Sequence, residues 1–205
     1  VDKDLREAER TGDQARLLRF KMKSGQLSWE RVKLAAQLGD ADAKQLFPEQ
    51  PPNFSIFSNS VLSLGRLLRK AEEVLGKSKI VEFAADCSEK VLNIFETRYP
   101  KDLRPRNAII AARMWAKSRA RKESWTSNIA RQCVAADAAA ARASADGSSH
   151  AARAAWSAYW TSRSTLMILA SDAASRAIMA AANVSDDTRI THKWQIQRLI
   201  FILKD

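Results

Sequence analysis

From Ser124 to Asn183 the chain is dominated by alanine and serine, in runs such as "ARQCVAADAAAARASA" and "HAARAAWSAYWTSRS". No other feature limits the fold as tightly. Alanine has the highest helix propensity of any residue, and an alanine face lets a neighbouring helix approach closely. Low complexity would also suit a disordered chain. However, Trp125, Ile129, Trp156, Tyr159, Leu166, Ile168, Leu169 and Ile178 recur through the region and argue for packing. Gly147, Ser148 and Ser149 mark a turn between two helices. The second helix either runs through to Asn183 or breaks near Ser171. Six glycines and five prolines in 205 residues are too few for an all-β fold built on tight turns. The expected class is therefore all-α: a short N-terminal helical hairpin module followed by an alanine-rich multi-helix bundle.

The module is expected over residues 1–47. Asp13 opens a helix that Gly25 ends, Ser28 opens a second that Gly39 stops, and Asp40 opens a third that Pro48 closes. A G-D-x-A-x-x-L phrase at Gly12 recurs at Gly39 with one extra residue, a weak repeat of hairpin type. In the second of these helices Trp29, Val32, Ala35, Ala36 and Leu38 share a mostly helical spacing. Residues 48–58 contain three prolines, which forbid helix and predict a linker; Phe54, Ile56 and Phe57 are apolar enough to dock on the body. Residues 59–205 form the bundle. Val61, Leu64, Leu67, Leu68, Ala71 and Leu75 make one stripe up to Gly76. Ile80, Phe83, Ala84, Cys87, Val91, Ile94 and Phe95 make the next, which Tyr99-Pro100 ends. Pro105 fits only the first turn of a following helix, with Ile109, Ala112, Trp115 and Ala116 on one side. A final helix places Ile196, Leu199, Ile200 and Leu203 together.

The net charge is +11 with pI near 10, which favours acidic partners: nucleic acid, an anionic membrane surface or an acidic protein face. Cys87 and Cys133 sit inside apolar helical patterns and read as buried small hydrophobes in a reducing compartment. No apolar run is long enough to span a bilayer, and "VDKDLREAER" has no signal-peptide core. The expected location is cytoplasmic. The chain opens on Val1 and lacks a leading Met, which leaves room for an upstream piece.

The stretch "CSEKVLNIFETRYPKDLRPRNAIIAARMWA", residues 87 to 116, is the densest in specific side chains. With the residues just before it, it resembles a family of bacterial proteins described as putative immunity proteins, the Imm-5-like domain. The resemblance rests on Phe83, Ala84, Cys87, Glu89, Val91, Leu92, Phe95, Glu96, Tyr99, Pro100, Asp102, Arg104, Pro105, Arg106, Ala108, Ile109, Ala111, Ala112, Trp115 and Ala116. Trp194, Gln195, Arg198 and Leu199 look like the family's tail. The likeness spans the last two thirds of the chain. It implies an all-helical fold and an immunity-type protein partner. The family's alanine-rich helices often carry several histidines, whereas only His150 remains in that region here, so no histidine-dependent function is carried over.

Candidate contact residues follow from the charged and aromatic clusters. Asp102, Arg104 and Arg106 flank Pro105 as a partner-binding patch at a helix start. The plainer reading has Asp102 capping the helix and an arginine pairing with Glu96 or Asp86. In "RMWAKSRARKESW", Arg113, Lys117, Arg119, Arg121 and Lys122 face a single acid, Glu123. That makes either a phosphate-contacting stripe, with salt-sensitive binding, or a solvated helix end. Trp156, Tyr159 and Trp160 cannot all share one face; Trp160, beside Arg153 and Arg163, is the candidate exposed anchor. Asp137, Asp146 and Asp172 read as solvated. His150 and His192 have no neighbour at metal-ligand spacing, and no nucleophile-elbow, zinc-protease, phosphate-loop or dinucleotide phrase occurs, so neither enzyme activity nor a cofactor is expected. The expected function is that of a non-enzymatic helical protein that sterically neutralises or regulates a protein partner, a toxin or effector with an acidic face. The alternative is a nucleic-acid-associated basic helical protein.

Overall fold

A computed structural model describes residues 2–48, 61–119, 126–146, 149–167, 170–184 and 188–205. These residues form eleven helices and no strand: α1 (Asp2–Thr11), α2 (Gln14–Lys23), α3 (Trp29–Gln37), α4 (Ala41–Leu46), α5 (Val61–Leu75), α6 (Lys77–Arg98), α7 (Arg104–Arg119), α8 (Thr126–Ala145), α9 (Ser149–Leu166), α10 (Ala170–Ala182) and α11 (Thr188–Lys204). The fold is the all-α multi-helix bundle that the alanine runs predict. Phe54, Ile56 and Phe57, with the rest of the proline-rich linker beyond Pro48, lie outside the described residues. The chain divides into two compact units, residues 1–58 with 196–205, and residues 59–195.

In the first unit the Gly-Asp phrase has a stereochemical cause. Gly12 and Gly39 leave α1 and α3 with φ of 67° and 92°, a region that costs glycine nothing. The following aspartate closes each exit, Asp13 N–H donating to the Ala8 carbonyl and Asp40 N–H to the Ala35 carbonyl, both at 3.1 Å. The same aspartates then cap the next helix: Asp13 Oδ1 accepts from Arg16 N and Asp40 Oδ1 from Ala43 N. One dipeptide thus ends a helix and starts another. Leu18, Leu27, Val32, Leu34, Ala35, Leu38 and Ala43 are buried in this unit, with Leu199, Ile202 and Leu203 from the end of α11. Lys204 Nζ donates to both oxygens of Asp40 and to Asp42 Oδ2. Burial alone would lower the Lys204 pKa, but the hydrogen bonds to Asp42 and Asp40 outweigh it and raise it. Trp29, in the first turn of α3, stands outside the buried face and is 61% exposed; its ring meets Phe47 edge-on at 5.2 Å.

In the second unit α9 is the axis, packed against α6, α7, α8 and α10. Ala151, Ala152, Ala154, Ala155, Ser157, Ala158, Thr161, Ser162, Ser164 and Thr165 are all buried, on every side of the helix but the one that carries Arg153 and Arg163. A helix clothed in such small side chains can take neighbours on several sides. Ala85 and Leu92 of α6, Ala108 and Ile109 of α7, Ala136 of α8 and Ala158 of α9 meet in one cluster. The buried hydroxyls of α9 are bonded, as is Ser88 on α6: Ser88 Oγ lies 2.6 Å from Ser157 Oγ and 2.7 Å from Thr161 Oγ1. Ser157 donates onward to the Ala177 carbonyl and Thr161 to the Ala84 carbonyl. Cys87 and Cys133 are buried thiols, and burial pushes the Cys133 thiol up.

The long alanine-serine helix does break, between Leu166 and Ala170. Side chains from the α5–α6 turn satisfy both ends. Lys77 Nζ donates to the Thr165 and Met167 carbonyls at the end of α9, and Glu72 accepts from Ala170 N and Ser171 N at the start of α10. A cation at a C-terminus and a carboxylate at an N-terminus are the favoured signs for the helix dipole. Replacing Glu72 by alanine is expected to cost about 1–2 kcal/mol and to speed amide exchange at Ala170 and Ser171. Glu73→Ala, at the exposed neighbouring position, should stay within about 0.5 kcal/mol of wild type. Equal effects in thermal melts would show that Glu72 does not act as the cap.

Candidate partner-binding surface

The α6–α7 corner is assembled from the Tyr99–Arg106 stretch. Asp102 N–H donates to the Tyr99 carbonyl at 3.0 Å and closes the turn. Asp102 Oδ1 accepts from Arg104 N at 3.2 Å and Nε at 2.8 Å, and Oδ2 accepts from Arg104 Nη2 at 2.6 Å. The Asp102 side chain is only 8% exposed, and the Arg104 side-chain bonds hold its carboxyl below the usual carboxylate range. Pro105 is buried in the first turn of α7, where its missing N–H is not needed. Asp102 is thus both cap and clamp.

The other corner arginines also face inward to acids on α6. Arg106 pairs in a two-pronged contact with Glu96, both bonds at 2.6 Å. Two turns along, Arg113 Nη2 reaches Asp86 at 2.8 Å and Glu89 at 2.5 Å. These are antiparallel rungs between α6 and α7. At this exposure each is worth about 0–1 kcal/mol, and their main effect is to fix the orientation of α7. The Phe95 and Tyr99 rings pack at a 40° tilt with centroids 5.0 Å apart, and the Tyr99 hydroxyl donates to Asp146 Oδ2 at 2.9 Å. Burial first, and then that bond, push the Tyr99 phenol above its ordinary value.

Of the seven contact residues expected from sequence, Arg104, Arg106 and Arg113 are therefore engaged within the chain. Lys117 is exposed on α7. Arg119 ends α7, with its side chain outside the description, and Arg121 lies outside the described residues altogether. Trp160 is half-buried on α9; its partners are Tyr159, edge-on at 5.0 Å, and the Arg176 guanidinium at 4.9 Å, not Arg153 or Arg163. Arg153 instead donates to the Asn183 carbonyl. Asp146 and Asp172, expected to be merely solvated, hold Tyr99 and Arg69 respectively.

Two features of the corner were not anticipated. The first is the outer face of α7. Leu103, Ile110 and Met114 are 52%, 46% and 41% exposed, with Asn107 and Lys117 between and beyond them at spacings of three and four. The opposite face, Ala108, Ile109, Ala112, Trp115 and Ala116, is buried. The sequence signal was available: α7 carries apolar residues on two sides, and a single packing face explains only one. The second is an open cavity of about 650 Å³ lined by Arg98, Tyr99, Pro100, Lys101, Asp102, Leu103, Arg104, Asn107 and Arg142. Arg142, from the last turn of α8, lies 5.4 Å over the Tyr99 ring.

The corner lies within the segment that settles the ancestry of the chain. A family model described as Imm-5 like putative immunity protein matches residues 71–200, more than half of the molecule. The chain belongs to the Imm-5-like family. Its matched segment runs from within α5 to within α11 and includes the whole α6–α7 corner. No curated protein and no solved structure matches the chain. The family description points to a protein-binding immunity role. Among the described residues no helix of this Imm-5-like protein is long and apolar enough to cross a membrane, and no group of His, Cys, Asp and Glu is placed to hold a metal ion.

Proposed function

We propose that this chain is a non-enzymatic immunity-type protein that binds one partner protein, a toxin or effector with an acidic face, and neutralises or regulates it by covering a functional surface. The observation that supports this most directly is α7. Its inner face is buried and its tilt is braced by the Arg106 and Arg113 pairs, while Leu103, Ile110 and Met114 point outward. A braced apolar stripe with exposed lysines, Lys101 and Lys117, at its two ends loses little entropy on docking and supplies area to a hot spot. The positive charge steers an acidic surface toward it.

The test uses the full chain as bait in its native cell, beside an Ile110→Glu/Met114→Glu variant. The wild type should retain one stoichiometric protein at moderate salt. The variant should keep its thermal stability and lose that protein by about tenfold or more. Retention by both overturns α7 as the contact. If only nucleic acid co-elutes, and is lost as salt rises, the protein-binding reading fails in favour of phosphate contacts.

A further inference from the structure

We propose that the cavity at the α6–α7 corner is a carboxylate-binding site that receives an acidic segment of the protein partner. This rests on the protein-binding reading above and adds where, and to what chemistry, the partner is anchored. Four cations, Arg98, Lys101, Arg104 and Arg142, line the cavity, and Asp102 is its single carboxylate. Asp102 is clamped by Arg104 through both oxygens and also attracts Arg142, but one carboxylate offsets only one of the four charges. The cations come from four different places: the last turn of α6, the corner loop, the first turn of α7 and the last turn of α8. The helix dipoles account for Arg98 and Arg142, each at a C-terminal end, but not for Lys101 in the loop. A concave wall of one sign focuses potential on the space it encloses, and guanidinium groups suit carboxylates in paired hydrogen bonds.

The rest of the lining narrows the ligand. Leu103 is half-exposed at the rim and continues into the apolar stripe of α7, so an acidic side chain next to an apolar one fits the wall. Nucleic acid fits less well. Single strands need exposed aromatic faces for stacking, and the one ring in the lining, Tyr99, is buried with Arg142 over it.

The test is fluorescence anisotropy with the full chain and a labelled short peptide of alternating aspartate, glutamate and leucine, at about 0.1 M and about 0.3 M salt. Its amide counterpart, with asparagine and glutamine, is the neutral probe, and a thymidine oligonucleotide of equal charge is the competitor. The acidic peptide should bind and the amide peptide should not. Lys101→Glu alone should weaken binding, and Lys101→Glu/Arg142→Glu should weaken it about tenfold or more. Arg66→Glu/Lys70→Glu carries the same change in net charge at exposed positions of α5 and should change affinity less than about threefold. The single variant leaves Arg142 on Tyr99, so it reports binding even if the double variant loses stability. Equal losses in the two double variants, no binding of the acidic peptide, or tighter binding of the oligonucleotide at the same residues each overturn the site. Capture of a partner that depends on Ile110 and Met114, with no peptide binding, removes the cavity and leaves the protein-binding reading standing. Peptide binding without any captured protein leaves a carboxylate site but overturns its assignment to a protein partner.

Discussion

Replacing Phe95 by alanine is expected to destabilise the protein by about 3–5 kcal/mol, a fall in Tm of roughly 10 °C. Phe95 is fully buried on α6 and is among the largest side chains in the core. The alanine-rich helices packed on α6 are poorly able to fill the void, because their methyl groups have no rotamers with which to reach in. The damage should also spread to the corner. Tyr99 packs on Phe95, and its hydroxyl ties the corner to Asp146 just beyond α8. Amide exchange should therefore accelerate from Tyr99 to Arg104 ahead of the N-terminal helices. A fall in Tm of under about 3 °C would mean that the site collapses around the smaller residue.

Asp102→Ala carries the second large effect, about 2–3 kcal/mol at neutral pH, from loss of a helix cap together with charge-assisted bonds at a nearly buried carboxylate. Arg104 is partly exposed and can turn to water, which keeps the cost from rising further. This loss depends on pH in a defined direction. The folded carboxyl titrates below its ordinary value because Arg104 hydrogen-bonds the charged form. Its contribution is thus complete above the unfolded value near 4 and disappears as pH falls through the lower folded value. Stability of wild type and Asp102→Ala, compared in urea from about pH 7 to about pH 2.5, should converge only below about pH 4. A gap that stays constant over that range would mean that the cap acts through shape alone.

Much of the fold follows from local rules, which is why it was legible. Caps at Asp13, Ser28 and Asp40, the glycine exits before Asp13 and Asp40, and the apolar spacings of α6 and α7 depend on residues within a turn or two of one another. The pairing of a corner arginine with Glu96 or Asp86 was also readable, since two antiparallel helices joined by a short loop place such residues opposite each other. The residues of the candidate site were less legible. Arg104, Arg106 and Arg113 were singled out by their charge, but charge in a string does not tell an arginine facing water from one facing a carboxylate. Ile110 and Met114 were missed because an apolar residue in a helix is read as core until its neighbours are known.

The sequence by itself determined the helical class, the helix boundaries marked by Asp13, Ser28, Asp40, Gly76 and Pro105, the family and the excess of positive charge, because each depends on local propensity or on composition. Only the tertiary structure decided that α9 is the axis of its unit, and that Lys77 and Glu72 close the break after it. It alone decided that Arg142 joins Arg98, Lys101 and Arg104 around one cavity while α7 leaves an apolar side uncovered. Those outcomes join residues many tens of positions apart, and which helices meet is set by the shape of whole packing faces, on which alanine leaves little mark in a one-dimensional pattern.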